Sequence, residues 1–151
     1  MQHVATLITF FLVIAATSAA AQANSTFVQK VVEQVKAAHP EIIGLELAAT
    51  KPGEGCQTIA ATERAEIGEK CDEDELTAMK TNRPYVEQEK TEFDVTLPIH
   101  DRVGKVFATA GMDFKLEAKR SKETTIREAL NIGAELERRL SSESDLFKPP
   151  Q

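Results

Sequence analysis

Apolar residues recur at helical spacing over residues 26–38, which predicts the first helix of a folded domain. They fall on one wide stripe: Phe27, Val28, Val31, Val32, Val35 and Ala38. Thr26 and Gln29 have the spacing of a capping box, and Pro40 ends the helix. Because the stripe is wide, this helix could serve both the core of its own domain and a partner chain.

Two strand-like segments follow at residues 41–49 and 56–62. The sequence TKPGEG between them has the proline and glycines of a turn, so the sequence predicts a hairpin. Residues 72–81 begin with carboxylates, which suit the positive end of a helix dipole, and predict a short helix. Pro84 follows this helix, and residues 85–88 are predicted as a short strand.

Residues 91–115 contain two longer strands joined by a tight turn. Strict alternation places four apolar residues on one face of the first strand: Phe93, Val95, Leu97 and Ile99. The sequence DRVG at 101–104 favours a turn with Gly104 as a left-handed bulge residue. That register puts Asp113 on the face of the four apolar residues. A two-residue turn is the alternative, and it would put Asp113 on the face of Asp94.

A long helix is predicted at residues 122–140, with Ser121 as its cap. The order of elements therefore predicts an α+β domain. We expect an antiparallel sheet of about five strands with a long N-terminal helix, a short central helix and a long C-terminal helix.

The length of 151 residues fits one domain, which does not include the first segment of the chain. Residues 4–16 are apolar and uncharged, and the small residues TSAAAQA follow them, as in a cleavable signal peptide. We therefore predict a signal peptide at 1–23, a domain at 24–142 and a flexible tail at 143–151. The protein is expected to be periplasmic or secreted, and an uncleaved anchor is the alternative.

The net charge limits the kinds of binding partner, and the two cysteines indicate a disulfide. The net charge of −6 lies wholly outside the predicted signal and argues against nucleic acid as a partner. In an oxidising compartment, Cys56 and Cys71 are predicted to form a disulfide. Two free thiols or a metal site are the alternatives, although the chain has no CxxC sequence.

The sequence contains no pattern typical of an active site. It has no G-x-S-x-G, no H-E-x-x-H and no glycine-rich phosphate loop. His39 precedes a proline at a predicted helix end, and His100 flanks a turn. We therefore predict that the protein is not an enzyme and has no cofactor or metal.

Four residues are candidates for a ligand site. A buried Asp113 would need a cationic partner, either an internal Arg or Lys or the cation of a small ligand; otherwise it faces water at the sheet end. Arg83 could bind a carboxylate and Tyr85 could offer an apolar face with a polar tip, or both could be structural. Thr109 could add a hydroxyl group, although threonines are common in strands.

Two segments resemble the Cache family, also called PDC. Its members are PAS-like extracytoplasmic sensory domains of bacteria. The two segments are LPIHDRVGKVFATAGMDFK and the preceding IAATERAEIGEKCDEDELTAMKTNRPYVEQEK, and the resemblance covers roughly residues 25–140. It implies a pocket between the sheet and the short helix for a small organic acid or amino acid. It also implies that Arg83, Tyr85, Thr109 and Asp113 belong to that pocket, and that a dimer forms through the N-terminal helix.

The resemblance predicts an exported, non-catalytic sensory domain that binds a small metabolite and relays its state to a partner, for example a membrane receptor. The alternative is a protein-interaction or inhibitor module of the PepSY-like or cystatin-like kind, which has no ligand pocket. A pocket lined by the predicted residues would distinguish the two.

Overall fold

The computed structural model describes residues 26–117 and 120–149, and the predicted signal peptide lies outside them. The helices and strands are α1 (Phe27–Ala38), β1 (Ile42–Lys51), β2 (Gly55–Ala61), α2 (Glu73–Thr81), β3 (Tyr85–Gln88), β4 (Glu92–His100), β5 (Val106–Lys115), α3 (Lys122–Arg139) and α4 (Glu143–Leu146). A short 3-10 turn, Arg64–Glu66, lies between β2 and α2. In the ranges described, every helix is too short or too polar to cross a membrane.

The five strands form one antiparallel sheet in the order β2-β1-β5-β4-β3. Helices α1 and α3 pack on one face, where α1 contacts β1 and β2 and α3 contacts β4 and β5. Helix α2 contacts β3, β4 and β5. The predicted α+β architecture, with its long terminal helices and short central helix, is confirmed.

Helix α1 buries its apolar stripe against its own sheet, since Val28, Val31, Val32 and Val35 all lie in the core. The stripe is therefore used within the domain. A homodimer through this helix stays a prediction, and it would have to use other residues of the helix.

The start of α1 contains half of the predicted capping box. The Thr26 hydroxyl accepts a hydrogen bond from the Gln29 backbone N–H at 3.2 Å. The Gln29 side chain, however, does not reach back to the cap. It is buried, and its amide donates to the Ala61 carbonyl at 2.8 Å and accepts from the Ala61 N–H at 3.1 Å. The glutamine therefore joins α1 to the end of β2.

The turn between β4 and β5 has the predicted bulge form. The Asp101 N–H donates to the Lys105 carbonyl at 2.9 Å, and Gly104 has a φ of 82°. Only glycine adopts this left-handed conformation without steric cost.

A second bulge lies further along β5, and it changes the register. His100 pairs with Val106, but Ile99 pairs with Ala108, so Phe107 is an extra residue in the strand. Asp113 consequently lies opposite Asp94 and away from the apolar face. The prediction that Asp113 shares a face with Phe93, Val95, Leu97 and Ile99 is wrong, and the alternative face is the observed one.

The chain end also has structure in the range described. Residues 143–149 fall where the sequence predicts a flexible tail. There Glu143–Leu146 forms the short helix α4, and Leu146 is buried in the core.

Candidate functional site

An acidic cavity of about 440 Å³ lies on the sheet face opposite α1 and α3. Strands β1, β4 and β5 form its floor, and the connection between β2 and α2 forms one wall. Its lining residues are Ile43, Gly44, Leu45, Glu46, Thr62, Glu63, Glu66, Asp94, Gly111 and Asp113. Five of these described residues carry a carboxyl group, and none is Lys, Arg or His.

Two glycines make room for the carboxylates on the floor. Gly44 is paired with Asp113 across β1 and β5, and Glu46 is paired with Gly111. A Cβ atom at position 44 would lie 2.5 Å from Asp113 Oδ2, and one at position 111 would lie 2.8 Å from Glu46 Oε1. Each carboxylate therefore lies over a glycine of the neighbouring strand. This explains the glycine at position 111, two residues before Asp113 on the same face of β5.

The floor carboxylates hold protons more tightly than free side chains do. Burial, followed by the charge of Asp113, raises the pKa of Asp94 to about 7. Burial, followed by the charges of Glu92 and Glu89, also raises the pKa of Asp113. Some of the carboxyl groups in the cavity are therefore protonated near neutral pH. Burial and mutual repulsion both disfavour their charged forms.

Glu75 of α2 connects the helix start to this cluster. It is 6% exposed, and its Oε2 accepts a hydrogen bond from the Asp72 N–H at 2.9 Å. Burial and then its hydrogen bond to the Asp72 carboxylate raise the pKa of Glu75 to about 8. Burial also raises the pKa of Glu46, although a hydrogen bond with Glu75 opposes this effect. At neutral pH, a protonated Glu75 can therefore donate to a neighbouring carboxylate.

Glu63 and Glu66 line the cavity from the connection between β2 and α2. At the β2 end of this connection, Thr62 is hydrogen-bonded to β1: the Thr62 N–H donates to the Leu45 carbonyl at 2.9 Å. At its α2 end, Cys71 forms the predicted disulfide with Cys56, with the two Cα atoms 5.4 Å apart. The described residues contain no group of three or more His, Cys, Asp or Glu arranged to hold a metal ion.

Of the four predicted ligand residues, Asp113 lines the cavity. Tyr85 and Thr109 lie on the same face of the sheet, but neither is among the lining residues. Tyr85 lies beside Asp74 of α2, whose charge raises the pKa of the tyrosine. The Thr109 hydroxyl is buried and has no hydrogen-bond partner among the described residues. Arg83 is exposed in the loop before β3.

Four carboxylates of the cavity were not predicted from sequence: Glu46, Glu63, Glu66 and Asp94. Glu46 is the one carboxylate within the apolar stretch IIGLELAA, which was a usable signal for a buried charge. Asp94 could be grouped with Asp113 only from the correct β4–β5 register, which depends on the second bulge.

Solved structures with this fold include a GAF domain and two reductases. The chain is similar to the GAF domain from Acinetobacter phosphoenolpyruvate-protein phosphotransferase, with 11% identity, a TM-score of 0.53 and coverage of 83% of this chain and 84% of that one. It is also similar to fRMsr of Staphylococcus aureus, with 12% identity, a TM-score of 0.53 and coverage of 77% and 85%. The type II free methionine-R-sulfoxide reductase from Thermoplasma acidophilum has 17% identity, a TM-score of 0.50 and coverage of 79% and 89%.

These likenesses show a GAF-like fold. No family model and no curated protein matches the chain, so membership of the Cache family stays a prediction. Because two of these similar structures are reductases, the fold does not test the prediction that the protein is not an enzyme.

Proposed function

We propose that this protein is a sensory-type domain that binds a small organic cation, an amine, in the acidic cavity. The observation that carries the proposal is the lining itself, in which the charged side chains are all carboxylates. An amine would place positive charge among them and replace the protons that they hold. The ligand class expected from sequence, an organic acid or amino acid, would bring a carboxylate to a lining without a basic side chain to bind it.

Proton release follows from this mode of binding. Asp94 holds a proton up to about pH 7 in the free protein, and an ammonium group beside it would lower its pKa. Binding is therefore coupled to deprotonation, and the affinity for an amine should rise between pH 6 and pH 8. A neutral ligand of similar size would show no such dependence.

The cellular setting belongs to the proposal as well. We place the protein outside the cytoplasm, where the Cys56–Cys71 disulfide is compatible with an oxidising compartment. The ligand-bound state would be passed to a partner, for example a membrane receptor.

A thermal-shift screen of the protein tests the proposal. We expect 1,4-diaminobutane to stabilise the protein and succinate to leave it unchanged. A ligand at a hundred times its dissociation constant adds about 2.7 kcal/mol, which gives an easily measured shift. Stabilisation by succinate, or by Ca²⁺ and not by an amine, would contradict the proposed ligand class.

Variants assign the effect to the cavity. Asp113→Asn keeps the shape of the side chain and removes its charge, so it should reduce the shift with 1,4-diaminobutane. Glu54→Gln is the matched control, because Glu54 is an exposed carboxylate in the β1–β2 turn. Equal shifts in the two variants would mean that the amine binds elsewhere, and no shift in the parent protein would favour the protein-interaction module.

A further inference from the structure

We propose that the Cys56–Cys71 disulfide is a redox latch on the cavity wall. In the oxidised protein, the latch holds the connection between β2 and α2 in place, with Glu63 and Glu66 at the cavity. Reduction frees this connection and leaves the five-stranded sheet folded. The effect on the ligand rests on the proposed function, whereas the movement of the wall does not.

The wall has few other anchors. None of the residues from 63 to 70 is buried, and Ile67, the large apolar residue among them, is 40% exposed. Backbone hydrogen bonds to the outer edge of β2 also hold the segment. The Thr58 N–H donates to the Glu69 carbonyl and the Gly68 N–H to the Thr58 carbonyl, both at 2.9 Å, and the Cys71 N–H donates to the Cys56 carbonyl at 3.2 Å. An ion pair joins Arg64 to Glu33 of α1. Segments with exposed hydrogen bonds and no buried apolar side chain open readily.

The disulfide lies where it can control both the wall and α2. Cys71 directly precedes Asp72, the N-cap of α2, whose side chain accepts from the Asp74 N–H at 3.1 Å. Cys56 lies near the start of β2, and its Sγ is 4.0 Å from the Met79 sulfur of α2. The bond therefore fixes the wall and the helix start to the sheet edge.

The central sheet has strand pairing and an apolar core that do not involve the disulfide. Its central strands β1, β5 and β4 are paired along their length, and α1 and α3 cover them with a continuous apolar core. The cysteines lie at one edge of the sheet, outside that core. Reduction of the disulfide should therefore change the folded conformation only near the connection between β2 and α2.

The chemistry requires a dithiol as reductant. Its thiolate attacks one protein sulfur, breaks the Cys56–Cys71 bond and forms a mixed disulfide, and its second thiol then displaces the remaining cysteine. The protein gains two electrons and two protons as two thiols, and the dithiol is oxidised to its own disulfide. Both cysteines are partly exposed, so a small dithiol can approach them.

Hydrogen exchange measured by mass spectrometry tests the latch in the purified chain, with and without dithiothreitol. Reduction should make peptides covering residues 63–71 exchange roughly tenfold faster or more. Peptides from β4 and β5 should stay strongly protected in both forms, because loss of a cross-link over a separation of 15 residues lowers the global stability by about 3 kcal/mol without unfolding the sheet. The double variant Cys56→Ser/Cys71→Ser should resemble the reduced protein and should not respond to dithiothreitol, which separates reduction from other effects of the reagent.

Two results would overturn the latch. Equal exchange at residues 63–71 in both forms would mean that the other contacts hold the wall. Loss of protection throughout the sheet would mean that the sheet itself needs the disulfide to stay folded. If the wall loosens but 1,4-diaminobutane does not stabilise the oxidised protein, the latch stands and the proposed function fails. If the amine binds the oxidised protein, its dissociation constant should rise at least severalfold on reduction.

Discussion

Asp113 occupies space that a side chain at position 44 would need, and this close approach gives a sharp test of the cavity. In Gly44→Ala, the new methyl group would meet Asp113 Oδ2, which is the end of a movable side chain. We expect the carboxylate to move, the amine-induced thermal shift to decrease, and stability to change by less than about 1 kcal/mol.

Gly133→Ala is the matched control for this variant. It is also a glycine to alanine change at a close contact, but the new methyl group meets Leu97 Cδ1 on the opposite face of the sheet, 3.0 Å away. Its amine-induced shift should equal that of the parent protein. An unchanged shift in Gly44→Ala as well would argue against a ligand at Asp113.

Asp94 should make stability depend on pH. Its pKa is about 7 in the folded chain and near 3.8 when unfolded, so between these values the folded chain holds the extra proton. Stability should therefore fall as pH rises from about 4 to about 7, and the cost persists above pH 7. Asp94→Asn should stabilise the protein at pH 8 by on the order of 1 kcal/mol, a reduced value because the group is partly exposed.

Urea unfolding at pH 5 and pH 8 measures this effect. Glu117→Gln, which alters an exposed carboxylate, serves as the control. An Asp94→Asn variant with the same pH dependence as the parent protein would show that Asp94 titrates like a free side chain.

The candidate site was predictable in part. Asp113 could be selected because small residues surround a carboxylate in a strand. Glu46 and Asp94 could not be joined to it, because their proximity depends on pairing across three strands. Arg83 was selected for its chemistry, and its exposed position in a loop follows from the fold and not from local sequence.

At the scale of the elements, α1 is hydrogen-bonded to β2 through one buried side chain, Gln29. Gln29 satisfies both backbone groups of Ala61, so Gln29→Ala would leave a buried donor and acceptor without partners. We expect a loss of about 1 to 3 kcal/mol in the free energy of unfolding, measured with urea. Gln34→Ala, at an exposed position of the same helix, should cost under about 0.5 kcal/mol. Equal losses would show that helix propensity, and not the link to β2, explains the effect.

The elements themselves were largely predictable from sequence. Helical spacing, proline positions and strict alternation located the helices and strands, because these patterns act locally. The register was not predictable, because nothing in the local sequence marks Phe107 as an extra residue without a partner in β4. A shift of one residue was enough to move Asp113 to the other face.

At the scale of the whole molecule, the titrating groups predict greatest stability in mild acid. His39 is hydrogen-bonded through both ring nitrogens, to Glu41 at 2.8 Å and Glu135 at 2.9 Å. Burial opposes its charge, but the bonds to Glu135 and Glu41 outweigh burial and raise its pKa. This contribution is complete below about pH 6.5 and is lost as pH rises through the folded pKa.

Asp145 has the opposite effect on the pH dependence of stability. Burial works against the charge of Asp145, but its hydrogen bonds to Lys148 and Ser141 outweigh that effect and lower its pKa, so it stabilises above about pH 4 and loses this effect as pH falls. Together with Asp94 and His39, this predicts maximum stability at about pH 5 to 6. Unfolding free energies measured from pH 4 to pH 9 at constant salt check this, and a maximum at pH 8 would contradict it.

The most direct test of the acidic cavity as a cation site is carboxyl-carbon NMR of the labelled protein, followed as a pH titration with and without 1,4-diaminobutane. In the free protein, the Asp94 carboxyl should titrate near pH 7, and saturation with the amine should lower this midpoint. An Asp94 carboxyl that titrates near pH 4 in both samples, or one whose midpoint is unchanged by the amine, would contradict the account.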